Sequence, residues 1–382
     1  MIDFRLTPRE FRSTHFEQGP YLFKAALPER PLTWADFEEL LHLVPPHAPA
    51  LRLFRHGIVP EREFTEEIVV LSQSRPKLDK VRFYDYMRNG ATLVINRLED
   101  YSMAAKRLCM EIARFAGAQA SGNAYVSFKG DGTFGKHWDT HDVFAIQLIG
   151  RKCWRIYAPT FPLPLTYQTN DRSGHVCPAE PTLELVLEEG DVLYLPRGWW
   201  HHVIPLDEGS FHLSVGVYPP TYYDYVMWTA AQYLQRLVDL RRAYCFDERG
   251  RAGKVLEALP ALLADARNAA EFERQTAASQ PLSSDFNVDL FLEPRRASLS
   301  PTSLISLTTY AAPKLERSEM LVNGSRLELD AQSRAVVVAL GDSLWIAFDE
   351  LCERLPELSR DAVHRAVLNL ARHDIVTIRH EP

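Results

Sequence analysis

The sequence predicts an α+β protein in which a β-barrel comes first, helices follow, and a small mixed unit closes the chain. Three observations carry this reading. From Asn123 to Tyr218 the chain runs through short apolar or aromatic segments, Val143–Ile149, Cys153–Tyr157, Asp191–Leu195 and Phe211–Tyr218, punctuated by Gly or Pro; many short strands with such turns build a barrel or sandwich. After Pro219-Pro220 the apolar period turns helical, with Met227, Ala231, Leu234 and Val238 on one face and Val255, Leu256, Leu259, Leu262 and Leu263 on another. The stretch Ser279–Ser303 is rich in Ser and Pro, carries Arg295-Arg296, and reads as a linker. The expected divisions are therefore residues 1–220, 221–300 and 301–382.

Taken in order, residues 1 to about 85 mix short extended pieces with a helix near Trp34–Leu41, whose acidic first turn suits a helix start. Asn89-Gly90 is a turn dipeptide leading into the β-branched run Thr92–Asn96, and a helix is expected from about Asp100 to Phe115. The strands of the barrel follow. Beyond the linker, the pattern predicts a strand at Leu327-Glu328-Leu329, a helix across Leu344–Leu355, a helix from near Ser359 and a final strand Ile375–Ile378. In that last helix Val363, Ala366, Val367 and Leu370 form one apolar stripe, with Arg360, His364, Arg365 and Arg372 elsewhere on its surface.

Composition narrows the function classes. The chain has 382 residues, 46% of them hydrophobic, which is ample for a core and too long for one ordinary domain. A net charge of -7 argues against bulk nucleic-acid or membrane-surface binding, because both depend on a basic field. Met1-Ile2-Asp3-Phe4-Arg5 carries charge where a secretory leader would not, and no apolar run reaches membrane-spanning length, so a cytoplasmic protein is expected. The five cysteines, Cys109, Cys153, Cys177, Cys245 and Cys352, are scattered and read as reduced thiols.

The chemistry concentrates in two segments. His137-Trp138-Asp139, placed on a strand, would send both flanking side chains to one face. About sixty residues on, Gly190-Asp191-Val192-Leu193-Tyr194-Leu195-Pro196-Arg197-Gly198-Trp199-Trp200-His201 describes a strand rising to Pro196, a tight path at Gly198, and a histidine delivered back to the barrel mouth. Two imidazoles and one carboxylate form the facial triad of non-haem Fe(II) oxygenases, with three positions left open. His-x-Asp alone is common by chance; the second segment makes the pair specific.

That second segment resembles the second signature motif of the cupin barrel. Together the two segments resemble the JmjC branch of Fe(II)/2-oxoglutarate oxygenases, and within it the cupin-like ribosomal oxygenases. The likeness is strongest from Asn89 to Tyr218. It implies a double-stranded β-helix (a jelly-roll barrel of the cupin/JmjC type) in residues 1–220, a helical dimerisation region with linker in 221–300, and a winged-helix-like domain in 301–382. His137, Asp139 and His201 match the catalytic iron ligands. Lys152, in Gly150-Arg151-Lys152-Cys153-Trp154-Arg155, matches the basic residue that binds the distal carboxylate of 2-oxoglutarate. Asn123, Tyr125 and Ser214 match positions lining the cosubstrate pocket. Without the likeness, Lys152 reads as a solvated turn lysine and the other three as polar residues at a barrel mouth.

The resemblance implies Fe(II), 2-oxoglutarate and dioxygen as the reaction's components. It implies a homodimer acting on a protein or peptide, most specifically an Arg or His side chain of a ribosomal protein, with no membrane and no nucleic-acid partner. An acidic surface suits a basic ribosomal partner. The same chemistry on another protein or a natural-product peptide, or N-methyl-lysine demethylation, stands beside it. Two other classes compete: a cupin of different chemistry, disfavoured because Trp138-Asp139 stands where those barrels place further His or Glu ligands, and a non-catalytic cupin and winged-helix interaction protein. Several residues take plainer readings. His141 is expected beside the metal in a structural role, His202 on the face opposite His201, and Trp199 and Trp200 in the barrel core or pocket wall. His212 shares parity with Ser214 and could face the pocket. His373 and His380 carry no spacing signal.

Overall fold

The computed structural model describes residues 1–130, 132, 134–170, 174–243, 253–279, 285–288, 299–310, 315, 319–322, 325–341 and 343–380. Arg295-Arg296 of the expected linker and Cys245 lie outside the described residues, as do the side chains of Val255 and Leu256. The chain divides into two compact units, Met1–Tyr218 and Pro219–Pro382.

The first unit holds twelve described strands: β1 (Tyr21–Phe23), β2 (Leu51–Phe54), β3 (Thr65–Val70), β4 (Gln73–Leu78), β5 (Thr92–Ile95), β6 (Gln119–Ser127), β7 (Asp142–Ile149), β8 (Lys152–Tyr157), β9 (Leu183–Leu187), β10 (Val192–Leu195), β11 (Trp200–Pro205) and β12 (Ser210–Tyr218). Its helices are α1 (Pro8–Thr14), α2 (Trp34–Leu43), α3 (Lys80–Arg88) and α4 (Met103–Ala116). Seven strands form one sheet in the order β1-β10-β7-β12-β6-β5-β2, and β11-β8-β9 form a second. All pairings are antiparallel. The amino-terminal residues, read from sequence as a mere lead-in, in fact supply both edges of the large sheet. At three and four residues, β1 and β2 are too short to show a period of their own.

Alternation along the strands separates two cores. Phe144, Ile146 and Leu148 of β7, Leu213, Val215 and Val217 of β12, and Ala124 and Val126 of β6 point outward and pack with Leu108, Ile112 and Phe115 of α4. This helix begins at Ser102, whose side chain accepts from the Ala105 amide, and ends at Gly117 in the left-handed region with φ 75°. The opposite parity faces the second sheet. There Val143, Ala145, Leu193 and Leu195 meet Trp154, Ile156 and Leu187 in a smaller inner core. Two layers with separate faces give the barrel a filled end and leave its polar inner positions, on β6, β8 and β12, for chemistry.

The second unit contains α5 (Tyr222–Tyr233), α6 (Gly253–Ala264) and α7 (Ala266–Ser279). Tyr225 Oη donates to the Leu263 carbonyl at 3.0 Å, and Trp228 packs its ring 5.6 Å from Phe272. The expected face Met227–Val238 is not one helix, since α5 ends at Tyr233 and 3-10 turns hold Leu234 and Val238. Then come β13 (Leu304–Leu307), the hairpin β14 (Glu319–Val322) and β15 (Ser325–Glu328), α8 (Ala331–Leu340), β16 (Ile346–Ala347), α9 (Phe348–Glu353), α10 (Arg360–Arg372) and β17 (Val376–Arg379). A sheet β16-β13-β17 packs with α8, α9 and α10 around one core that includes Val363, Ala366, Val367 and Leu370. One expectation is corrected here, and one helix was not anticipated. The helix expected over Leu344–Leu355 starts only at Phe348, because Ile346 and Ala347 pair with Ile305 and Leu304. Helix α8 was hidden by its β-branched run Val336-Val337-Val338, which tertiary packing overrides.

Candidate metal centre

The residues bearing the metal motif come together, though not by the route the sequence suggests. His137 and Asp139 do not lie on a strand. His137 forms an isolated bridge with His201, its amide donating to the His201 carbonyl at 3.1 Å and its carbonyl accepting from the His201 amide at 2.8 Å. The Gly198 amide donates to the Asp139 carbonyl at 3.0 Å, so the whole His137–Asp139 segment is stitched to the turn that leads into β11. That turn needs glycine. Gly198 has φ 85°, and a Cβ there would lie 2.5 Å from the Phe161 carbonyl oxygen.

His137, Asp139 and His201 offer ligand atoms that all lie within 4.8 Å of one another. His201 Nε2 stands 3.5 Å from Asp139 Oδ2, and the two imidazole centroids are 4.2 Å apart. Each ring has its other nitrogen turned to a backbone oxygen: His137 Nδ1 to Gly135 at 3.2 Å and His201 Nδ1 to Trp199 at 3.2 Å. With Nδ1 carrying the proton, each Nε2 presents a lone pair, as metal ligation requires. Burial, reinforced by the neighbouring His137, pushes His201 down to about 4, so it is neutral at pH 7. Burial pushes the Asp139 carboxyl upward, but His201, His141 and His137 outweigh it and hold the group below its ordinary range. Two imidazoles, with His201 neutral, beside the ionised Asp139 are the donor set that suits Fe(II).

Lys152 opens β8 and is 2% exposed, which rules out a solvated turn lysine. Its Nζ donates to the Tyr125 carbonyl at 3.2 Å and lies 2.9 Å from His212 Nδ1. No carboxylate pairs with it among the described residues, and burial lowers it to about 7. Arg151 faces the other way and binds Glu208 at 3.1 Å. The strand register places His212 opposite Tyr125 and Ser214 opposite Asn123, so Asn123, Tyr125, His212 and Ser214 share the inner face. A hydrogen bond from Asn123 reaches the Tyr125 hydroxyl, which burial and then the charge of Asp139 hold protonated. Trp154 lies between the two clusters, its ring 5.9 Å from His201 and 5.7 Å from His212, and its buried Nε1 has no partner among the described residues. A buried cation and an indole donor without acidic partners, next to a two-His, one-Asp cluster, fit a metal-chelating dicarboxylate such as 2-oxoglutarate.

With this geometry in view, a family profile described as JmjC domain matches residues 98–225. Residues 98–225 thus carry a JmjC domain. The JmjC segment spans α4 and every strand from β6 to β12, hence the whole cluster just described. Relatives include the bifunctional lysine-specific demethylase and histidyl-hydroxylase NO66 of Drosophila persimilis, 32% identical over 37% of this chain and 20% of that protein. Ribosomal oxygenase 1 of Gallus gallus is 28% identical over 55% of this chain and 35% of its own length. The chain therefore spans about a fifth and a third of these relatives. Among solved structures, the ribosomal oxygenase YcfD of Escherichia coli in complex with cobalt and 2-oxoglutarate shares the fold, with TM-score 0.59 and 15% identity over 100% of both chains.

The plainer readings fare variously around the JmjC site. His141 stacks on Tyr218 at 5.1 Å beside Asp139, and Gly216 leaves it room, since a Cβ there would meet His141 Cδ2 at 2.5 Å. His202 is half-buried and its Nε2 adjoins Gly132. Trp200 is buried with Trp138 and Tyr157, while Trp199 borders the inner core. His373 and His380 belong to the second unit. The residue the sequence undervalued is His212. A histidine at an inner-parity position between apolar neighbours was the available signal.

Proposed function

We propose that the protein is an Fe(II)- and 2-oxoglutarate-dependent oxygenase that hydroxylates a protein side chain, an Arg or His of a ribosomal protein. One observation carries this reading: a buried lysine, with no acidic partner among the described residues, lies across Trp154 from the His137, Asp139 and His201 cluster. In it, the three cluster residues hold the iron and leave its remaining positions open. Lys152 holds the distal carboxylate of 2-oxoglutarate, while Asn123, Tyr125 and Ser214 line the cosubstrate pocket. The bound iron supplies activation of dioxygen coupled to decarboxylation of 2-oxoglutarate. The chain orients both ligands and walls them from bulk water with Trp154, Ile156, Leu193 and Leu195.

The ribosomal substrate is supported by the names of the relatives and by the net charge of -7, which complements a basic partner. N-methyl-lysine demethylation is the second reading, supported by the name of the NO66 relatives. The proposed divisions are a catalytic domain over 1–220, a helical dimerisation region over 221–300 and a winged-helix domain over 301–382. Exposed Tyr222, Tyr223 and Met227 on α5 support a homodimer face, and the β13, β16 and β17 sheet beneath three helices supports a winged helix. A cytoplasmic location is supported by the free thiols Cys109, Cys153, Cys177 and Cys352; no helix among the described residues is long and apolar enough to cross a membrane.

The test supplies Fe(II) and 2-oxoglutarate without oxygen, then admits air and assays succinate. The wild type is expected to form succinate slowly and His137→Ala none; equal output from both would sink the proposal. Intact-mass comparison of ribosomal proteins from cells with and without the protein should show one added oxygen on a single ribosomal protein. Loss of methyl groups in its place would favour the second reading.

A further inference from the structure

Lys152 does not stand alone in the barrel. Its Nζ is 2.9 Å from His212 Nδ1 and 3.2 Å from the Tyr125 carbonyl oxygen. In its charged form Lys152 has donors only, so His212 then turns a lone pair toward it and carries its own proton on Nε2. Burial, then the charge of Lys152, hold the His212 imidazole far below its usual range and therefore neutral. The ring is clamped in place. It stacks on Tyr125 at 4.9 Å and 6°, and meets Trp154 nearly edge-on at 76°. Two of the three ammonium donors are thereby committed, and one remains.

Among the described residues, the surroundings of Lys152 are otherwise uncharged. Its register partners are Pro205 on β11 and Leu187 on β9, Tyr125 faces it from β6, His212 from β12, and β7 contributes the amide of Gln147 opposite His212. The acid Glu208 is already engaged with Arg151.

We infer that His212 is a positioning residue for the cosubstrate: it holds the Lys152 amine so that one N–H remains for the distal carboxylate, whose arrival brings a proton from solvent onto that amine. The inference rests on the 2-oxoglutarate reading proposed above. Burial leaves Lys152 titrating at about 7, so at pH 8 the ligand-free amine is mostly neutral. A carboxylate alongside favours the charged form. The balance is one amine plus one solvent proton giving one ammonium, with no other group changing charge.

The experiment is calorimetric titration of the full chain, loaded with Mn(II), with 2-oxoglutarate in buffers of different ionisation enthalpy. About one proton should be taken up at pH 8 and close to none at pH 6. Lys152→Arg, cationic throughout, should take up none at either pH. His212→Phe keeps the ring packing and loses the lone pair; its Kd for 2-oxoglutarate should rise about tenfold with Mn(II) affinity unchanged, and His212→Asn, which restores an acceptor, should recover part of the loss. Absence of proton uptake by the wild type at pH 8, or a wild-type Kd in His212→Phe, overturns the inference. A wild type that binds Mn(II) and shows no 2-oxoglutarate binding overturns the cosubstrate reading itself.

Discussion

His137, which lies on no strand, and His201 of β11 exchange both of their backbone hydrogen bonds, at 3.1 and 2.8 Å. The backbone thus holds the two imidazoles opposite one another before any ion arrives. An alanine at either position keeps this bridge. His137→Ala should therefore lose stoichiometric Fe(II) binding while the thermal midpoint of the metal-free protein moves by no more than about 2 °C, since His137 is only part-buried. Metal content by elemental analysis, read beside a melting curve, checks both halves.

Gly198 and Gly135 both adopt positive φ, yet differ in their surroundings. A Cβ at Gly198 would press on the Phe161 carbonyl and on Pro164, whereas none of the described residues comes within 4 Å of one at Gly135. Gly198→Ala should cost about 2–4 kcal/mol from strain and overpacking together, and Gly135→Ala only about 1 kcal/mol from its dihedral. Urea midpoints of the two variants decide this; equal losses would contradict it.

His201 sets an acid limit on the fold. Its folded value, about 4, lies below the ordinary histidine value, so between pH 6.5 and 4 the unfolded chain takes a proton that the folded chain refuses. Stability is thus fully present above pH 6.5 and declines as pH falls toward 4, by on the order of 3 kcal/mol from this group alone. His212, shifted in the same direction, adds to the slope. Denaturant titrations of metal-free protein at pH 7 and pH 4.5 should show the decline, and a flat profile would count against buried neutral imidazoles.

Lys152 is buried at a cost to stability. A buried amine lowered to about 7 disfavours the fold at neutral pH, because the unfolded lysine is fully protonated there. Lys152→Met should raise the stability of the ligand-free protein by on the order of 1–3 kcal/mol, after the loss of two hydrogen bonds is counted. The same variant should lose the thermal shift that 2-oxoglutarate gives the wild type. Scanning calorimetry with and without 2-oxoglutarate reads both effects.

The clustering of His137, Asp139 and His201 was more legible in the sequence than the architecture around it. His137 and Asp139 stand two residues apart, the Pro196–Gly198 turn announces His201, and Lys152 follows a Gly turn at a strand start. What the sequence concealed was set by long-range pairing. The His137 segment alternates like a strand but bridges only His201, β1 and β2 are too short to announce that they edge the large sheet, and the Val336–Val338 run of α8 mimics a strand. His212 was underrated for a similar reason: nothing local to β12 says that Lys152, sixty residues earlier, ends 2.9 Å from its ring.

Trp154 lies with its indole tilted 26° over His201 and nearly perpendicular to His212. This makes it an optical gauge built into the wall between the two halves of the centre. A paramagnetic ion on His201 would drain its excited state, and a carboxylate seated beside Lys152 would alter the polarity around its ring. Its emission, resolved from that of the other six tryptophans, would then report the loading of each half without an added dye.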